Sequence, residues 1–155
     1  MVLMVFCLSA CAENDPLSLA LTTGTLPESV RHIQEAQLQF TEGHYGLAVD
    51  NYSKTVEGDP LNPEAWLGLA AAYDQIGRFD EADKAYGKVQ GLIGATPSVL
   101  NNLGYSYLLR GNLDKSRVTL LAAYRGDPGN TYILNNINIL NDRLVTLGQP
   151  ILALN

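Results

Sequence analysis

The side chains in this 155-residue chain to test first for chemistry are two histidines, two cysteines, a few hydroxyls and a cluster of carboxylates. His32 and His44 are not spaced as a pair on one helical face, so they do not make a metal site. Ser98, Ser106 and Ser116 lack the flanking glycines that strain a nucleophilic serine into an exposed turn. Asp80, Glu81 and Asp83 cluster where a helix should begin; there they complement the helix dipole better than they would serve as an acid and a base. No glycine-rich loop is arranged to cradle a phosphate. The expectation is a protein without enzymatic activity, metal or cofactor.

The two thiols, Cys7 and Cys11, fall in an unbroken apolar run from Met1 to Cys11. A bilayer needs about 20 residues of helix, so this run is too short to span one and reads as the apolar region of a secretory signal. No Lys or Arg precedes it, which puts the expected true start upstream. The residues Leu8-Ser9-Ala10-Cys11 resemble a bacterial lipobox. That resemblance implies cleavage of residues 1–10 and a diacylglycerol on Cys11, leaving a mature chain with no free thiol and no disulfide. Ala12, in place of an aspartate, implies the periplasmic side of the outer membrane. The alternative is an apolar terminal segment of a cytosolic protein, buried or disordered. Residues 11–28, with Pro16, Gly24, Pro27 and several Ser and Thr, read as a tether reaching at most ~50 Å, or roughly 20–25 Å as a coil. Leu17, Leu19 and Leu21 alternate within it, the pattern of a short strand or a partner-binding segment.

The elements behind these residues are set by a period of 34, seen in Gly43, Gly77 and Gly111, each followed two positions later by Tyr45, Phe79 or Leu113. Trp66, Leu100 and Leu134 keep the register, as do Leu69, Leu103 and Ile137, and Ala48, Ala82 and Ser116. Such a period predicts helix-turn-helix units that cannot bury their apolar faces alone and must stack. Small residues at Ala48, Ala82, Ala70 and Gly104 let paired helices approach closely. The glycines end first helices without a Cβ penalty, and Asp59-Pro60 and Asp127-Pro128 close second helices. These residues, clearest from Pro63 to Pro128, resemble the tetratricopeptide repeat family. The resemblance implies an all-α solenoid of three units (29–62, 63–96 and 97–130), a capping helix over 131–147 and a tail over 148–155. Unit one departs from the pattern with His32 and Glu35 at apolar positions, and Val30, Ile33 and Phe40 suggest a rotated face. Unit two has Gly94 where the closing proline belongs, which predicts a looser turn.

Function is then expected on the groove that first helices line in this family. Its positions here are Leu67, Ala71, Asp74, Asn101, Asn102, Tyr105, Leu108, Leu109, Asn135, Asn136, Ile139, Asp142 and Arg143. The surface is amide-rich and apolar. Asparagines could hold a peptide backbone while Tyr105 and Leu109 take side chains, whether the peptide is helical or extended; or the asparagines could pack against the next unit. The lysines with which chaperone-docking relatives clamp a terminal carboxylate are missing. A net charge of −6, with 16 acidic and 10 basic side chains, argues against a nucleic-acid partner. The run from Asn101 to Leu108 followed by Gly111, and the later Asn135-Asn136-Ile137-Asn138, are similar to lipoproteins of the tight-adherence (Flp) pilus system. That likeness implies a lipid-anchored adaptor with a protein or peptide partner, an outer-membrane secretin. A scaffold for cell-wall enzymes is the other reading.

Overall fold

The computed structural model describes residues 27–154. The signal, Cys11 and the leucines Leu17, Leu19 and Leu21 lie outside the described residues. Within them the chain folds as α1 (Glu28–Thr41), α2 (Tyr45–Gly58), α3 (Pro63–Gln75), α4 (Phe79–Ile93), α5 (Pro97–Leu109), α6 (Leu113–Gly126) and α7 (Thr131–Thr146). There is no strand among the described residues, and no helix among them is long and apolar enough to cross a membrane. The helices pair as the hairpins α1–α2, α3–α4 and α5–α6, while α1, α3, α5 and α7 contact one another in succession.

The ends of the helices follow from their sequence. Asn62, Thr96 and Asn130 cap α3, α5 and α7, each accepting from a backbone N–H of the first turn, and Pro63 and Pro97 stand where a missing N–H costs nothing. At the other end Gly43, Gly77 and Gly111 take φ of 79°, 74° and 73°. The next residue's N–H then reaches back to a carbonyl of the last turn: His44 to Gln39, Arg78 to Tyr73 and Asn112 to Tyr107, at 2.8, 2.9 and 2.8 Å.

Helix α7 ends in the same way, with Gly148 at φ 65° and Gln149 bonded back to Leu144 at 2.9 Å. It is 16 residues long against 13 for α3 and α5. The expected capping helix therefore has the construction of the first helix of a fourth unit, lengthened by about one turn. The expected loose turn in unit two is tight. Gly94, at φ 73°, stops α4, and only three residues separate α4 from α5, against four between α2 and α3. In α1, Ala36 is fully buried in the register of Ala70, while the apolar packing moves to Ile33 and Phe40, the rotated face that the sequence suggests. His32, in the register of Trp66, keeps its ring largely covered, with Nε2 3.4 Å from Glu28.

Two apolar clusters form the core. One spans α1 to α5 and is rich in Ala, Val and Tyr; the other, around Leu120, Ile133, Ile137, Leu140 and Leu144, joins α6 to α7. Trp66 and Leu103 pack at the border of the first cluster rather than inside it, and the Trp66 indole N–H donates to the Pro60 carbonyl at 2.8 Å. Within each hairpin the helices cross at fully buried small residues: Ala48, Ala82 and Ser116. The Ser116 hydroxyl also donates to the Gly104 carbonyl at 2.8 Å, so the crossing is hydrogen-bonded as well as close.

A Cβ at Gly104 would lie 2.7 Å from Leu120 Cγ, closer than atoms pack. Gly104→Ala is expected to cost about 1–3 kcal/mol from overpacking. Leu120→Ala, at a fully buried site, is expected to cost about 2–5 kcal/mol. The double variant should lose less than the sum, because truncating Leu120 makes room for the new methyl. Urea unfolding of the four proteins measures this, and strict additivity would show that the two residues do not share the contact.

Candidate functional site

The surface lined by first helices carries two clefts. The first, of about 470 Å³, lies between α5 and α7 and is lined by Tyr105, Leu108, Leu109, Ile139, Asp142, Arg143 and Thr146. Leu109 and Ile139 are each 40% exposed, so its walls present apolar side chains that no other described residue covers. Asp142 and Arg143 put one charge of each sign on the wall. The helix spacing explains the set: Tyr105 and Leu109 are four apart on α5, as are Ile139 and Arg143 on α7.

The second cleft, of about 230 Å³, is bounded by Gln37, Phe40, Tyr52, Glu64, Leu67, Gly68, Ala71 and Asn102. Gln37 donates to Glu64 at 2.6 Å across α1 and α3. The Tyr52 hydroxyl is held neutral, its pKa pushed up to about 12, first by burial and then by the nearby Glu64 charge. Gly68 has no room for a side chain, because a Cβ there would strike the Tyr52 ring. Of the positions read from sequence, Tyr105, Leu108, Leu109, Ile139, Asp142 and Arg143 are brought together in the first cleft, and Leu67, Ala71 and Asn102 in the second. Gln37, Phe40, Tyr52, Glu64 and Gly68 are not in that reading. Gly68 had a signal, since it shares the 34-residue register of Asn102 and Asn136.

The remaining positions behave differently. Asn101 is 9% exposed and its Oδ1 accepts from Asn136 Nδ2 at 2.9 Å, so this pair clasps α5 to α7 instead of facing a ligand. Asn102 bonds back along its own helix, to the Ser98 carbonyl at 3.0 Å, while still lining its cleft. Asn135 is exposed and lines neither cleft.

Asp74 departs furthest from a groove position. Its carboxylate is buried and accepts from Tyr86 Oη at 2.9 Å and Ser106 Oγ at 2.7 Å. Arg110, whose Nη2 is 3.5 Å from Asp74, also grips Asp83 at 2.7 and 2.9 Å and lies over the Phe79 ring. Three helices, α3, α4 and α5, therefore meet at one polar knot. A sequence register puts Asp74 on the groove side of α3, but the knot pulls its side chain inward, where its charge is paired.

Burial raises the Asp74 pKa above the usual carboxylate value, and the hydrogen bonds from Ser106 and Tyr86 and the Arg110 charge only partly offset it. Burial, and next the Asp74 charge, push the Tyr86 hydroxyl well up, so it stays a donor. Among the described residues no group of three His, Cys, Asp or Glu could hold a metal.

The sequence matches the tetratricopeptide repeat family over residues 39–90. In structure the chain is similar to the first tetratricopeptide domain of human RPAP3, with a TM-score of 0.66 and 19% identity over 77% of this chain and 94% of that one. It is also similar to the first such domain of Spaghetti (RPAP3) bound to the HSP90 peptide SRMEEVD, with a TM-score of 0.64 and 19% identity over 76% and 94% of the two chains. The Arabidopsis OM64 domain gives a TM-score of 0.65 at 14% identity, over 75% and 96%. No curated protein sequence matches the chain. The fold is the all-α tetratricopeptide solenoid.

Because the folded pKa of Asp74 is raised, its contribution to stability is largest when it is protonated and is lost as pH rises through that pKa. The stability of the wild type relative to Asp74→Asn is thus expected to increase as pH falls from neutral toward about 4, the usual carboxylate pKa. Urea unfolding of both proteins at several pH values measures the difference. A relative stability that falls on acidification would overturn the assignment of burial as the dominant influence on Asp74.

Proposed function

We propose that this chain is a non-enzymatic adaptor that captures a protein segment in the cleft between α5 and α7. The observation that carries the reading is the joint exposure of Leu109 and Ile139 beside Tyr105, with Asp142 and Arg143 beside them. Apolar walls with a few charged or hydroxyl groups suit a peptide that inserts one or two apolar side chains, whose burial contributes about 1.5–3 kcal/mol each. An acidic peptide such as the SRMEEVD segment bound by the structurally similar Spaghetti (RPAP3) domain fits poorly. Glu64 and Asp142 lie at the two clefts, and the whole chain carries a net charge of −6. The partner segment is neutral or basic.

The lipobox-like Leu8-Ser9-Ala10-Cys11 and the following tether support a finer reading. In it the adaptor is held by lipid on Cys11 at the periplasmic face of the outer membrane and presents the cleft to the secretin of a tight-adherence pilus, as a pilotin does. The similarity of the stretches Asn101–Leu108 and Asn135–Asn138 to that system's lipoproteins supports the choice of partner.

Crosslinking in native cells, followed by affinity capture and mass spectrometry, tests partner and surface together. The pilus secretin is expected with the wild type and at least tenfold less with Tyr105→Ala/Ile139→Ala, whose circular dichroism should match the wild type. Cys11→Ser should abolish surface piliation with the solenoid intact. Recovery of cell-wall hydrolases in place of the secretin would transfer the function to an envelope scaffold. Equal capture by the cleft variant would move the binding surface elsewhere.

A further inference from the structure

After Gly148 ends α7 no second helix begins among the described residues. Residues 149–154 have no regular secondary structure, and part of this segment takes the place of the helix that would complete the fourth unit. Leu152 is 7% exposed and belongs to the apolar cluster of Leu140 and Leu144; Leu154 packs against the same cluster, whereas Ile151 and Ala153 face solvent. Alternation of this kind is the signature of an extended segment with one face buried.

The main chain of this segment is read directly. The Asn141 side-chain amide takes both backbone groups of Leu152, its Oδ1 accepting from the N–H at 2.7 Å and its Nδ2 donating to the carbonyl at 3.2 Å. Arg117 on α6 donates to the Pro150 carbonyl at 2.7 Å and the Ile151 carbonyl at 3.4 Å. Main-chain bonds supply affinity without regard to side chains, and the pocket for alternate residues supplies the preference for leucine. The site therefore recognises the pattern Leu-x-Leu in an extended chain.

The triplet Leu-Ala-Leu itself occurs a second time. Leu152-Ala153-Leu154 is matched by Leu19-Ala20-Leu21, in a stretch from Leu17 to Thr23 that carries no charge. We propose that the α6–α7 site is a peptide-binding site occupied in cis by residues 150–154, and that its exchange occupant is residues 19–21 of a second copy of this chain. Reach selects the second copy. Seven residues from Leu21 to Glu28 extend at most ~25 Å, whereas the three steps between the four first helices, at about 8–10 Å each, set α7 roughly 24–30 Å from α1, so a link within one copy would be stretched to or past its limit. The two ends of the solenoid are thus complementary, and copies would join head to tail. A tethered occupant acts at an effective concentration of about millimolar, so exchange needs either crowded copies or a weakened tail.

Fluorescence anisotropy with labelled peptides of residues 16–23 and 149–155 tests the proposal on the full chain. Leu152→Ser weakens the cis occupant without touching a helix, and both peptides are expected to bind this variant at least tenfold more tightly than the wild type. Adding Asn141→Ala should reverse the gain for both. Binding of the tail peptide alone would overturn the occupant, binding of neither would overturn the site, and binding insensitive to Asn141→Ala would place it elsewhere. In the wild-type chain, a saturating amount of the residue 16–23 peptide should accelerate hydrogen exchange at the Leu152 amide while helical amides stay unchanged. No acceleration there would also overturn the proposal, whatever the fold of the variants.

Discussion

Everything in this molecule depends on how closely two helices of one hairpin can cross. Ala48, Ala82 and Ser116 are completely buried at the crossings, and at Gly104 even a methyl group would collide with Leu120. Close crossing sets the angle at which each hairpin leaves its neighbour. That angle in turn aligns α1, α3, α5 and α7 side by side, leaving their outer surfaces to form clefts. No unit buries its apolar stripe alone, so the order of the whole array rests on contacts between neighbours.

Polar groups fix the stacking where the apolar contacts alone would not. Between the alanine-rich and leucine-rich clusters lies the knot of Asp74, Tyr86, Ser106 and Arg110, with Asn101 and Asn136 repeating the principle one step further along. A buried carboxylate that accepts from two hydroxyls and faces a guanidinium tolerates little displacement, because an unpaired charge in that environment is costly. The knot gives units two and three a defined orientation, and the Asn101–Asn136 pair ties α5 to α7, the two helices that wall the cleft. The cleft is therefore a by-product of the stacking geometry: its apolar walls are first-helix positions that stacking leaves uncovered.

At the end of the array the same economy is visible in another form. Where a further second helix would cover α7, residues 149–154 cover it instead, using two leucines and the side chains of Asn141 and Arg117. A short extended segment hides less apolar area than a helix. Val145 and Leu147 beside it remain exposed, at 64% and 54%.

The fold was legible because its determinants are local and periodic. The glycines at 43, 77 and 111, the prolines at 63 and 97 and the small residues between them each act through backbone geometry within a turn or two, so spacing alone exposes them. The apolar half of the cleft was legible for the same reason: Tyr105, Leu109, Ile139 and Arg143 lie at fixed offsets in their helices. The destinations of the polar side chains were not. Asp74, Asn101 and Asn102 occupy groove register, yet Asp74 turns to Tyr86 and Ser106, Asn101 to Asn136, and Asn102 to its own helix. Nor does any local pattern announce that Asn141 would hold Leu152, or that Gly94 would make a tight turn. The sequence by itself determined the helices, their period and their small-residue crossings, since those depend on neighbours within one unit. Only the tertiary structure decided which polar groups pair and which remain for a partner, since a side chain's hydrogen-bonding choice depends on donors and acceptors that packing delivers from other elements, as far as 36 residues away.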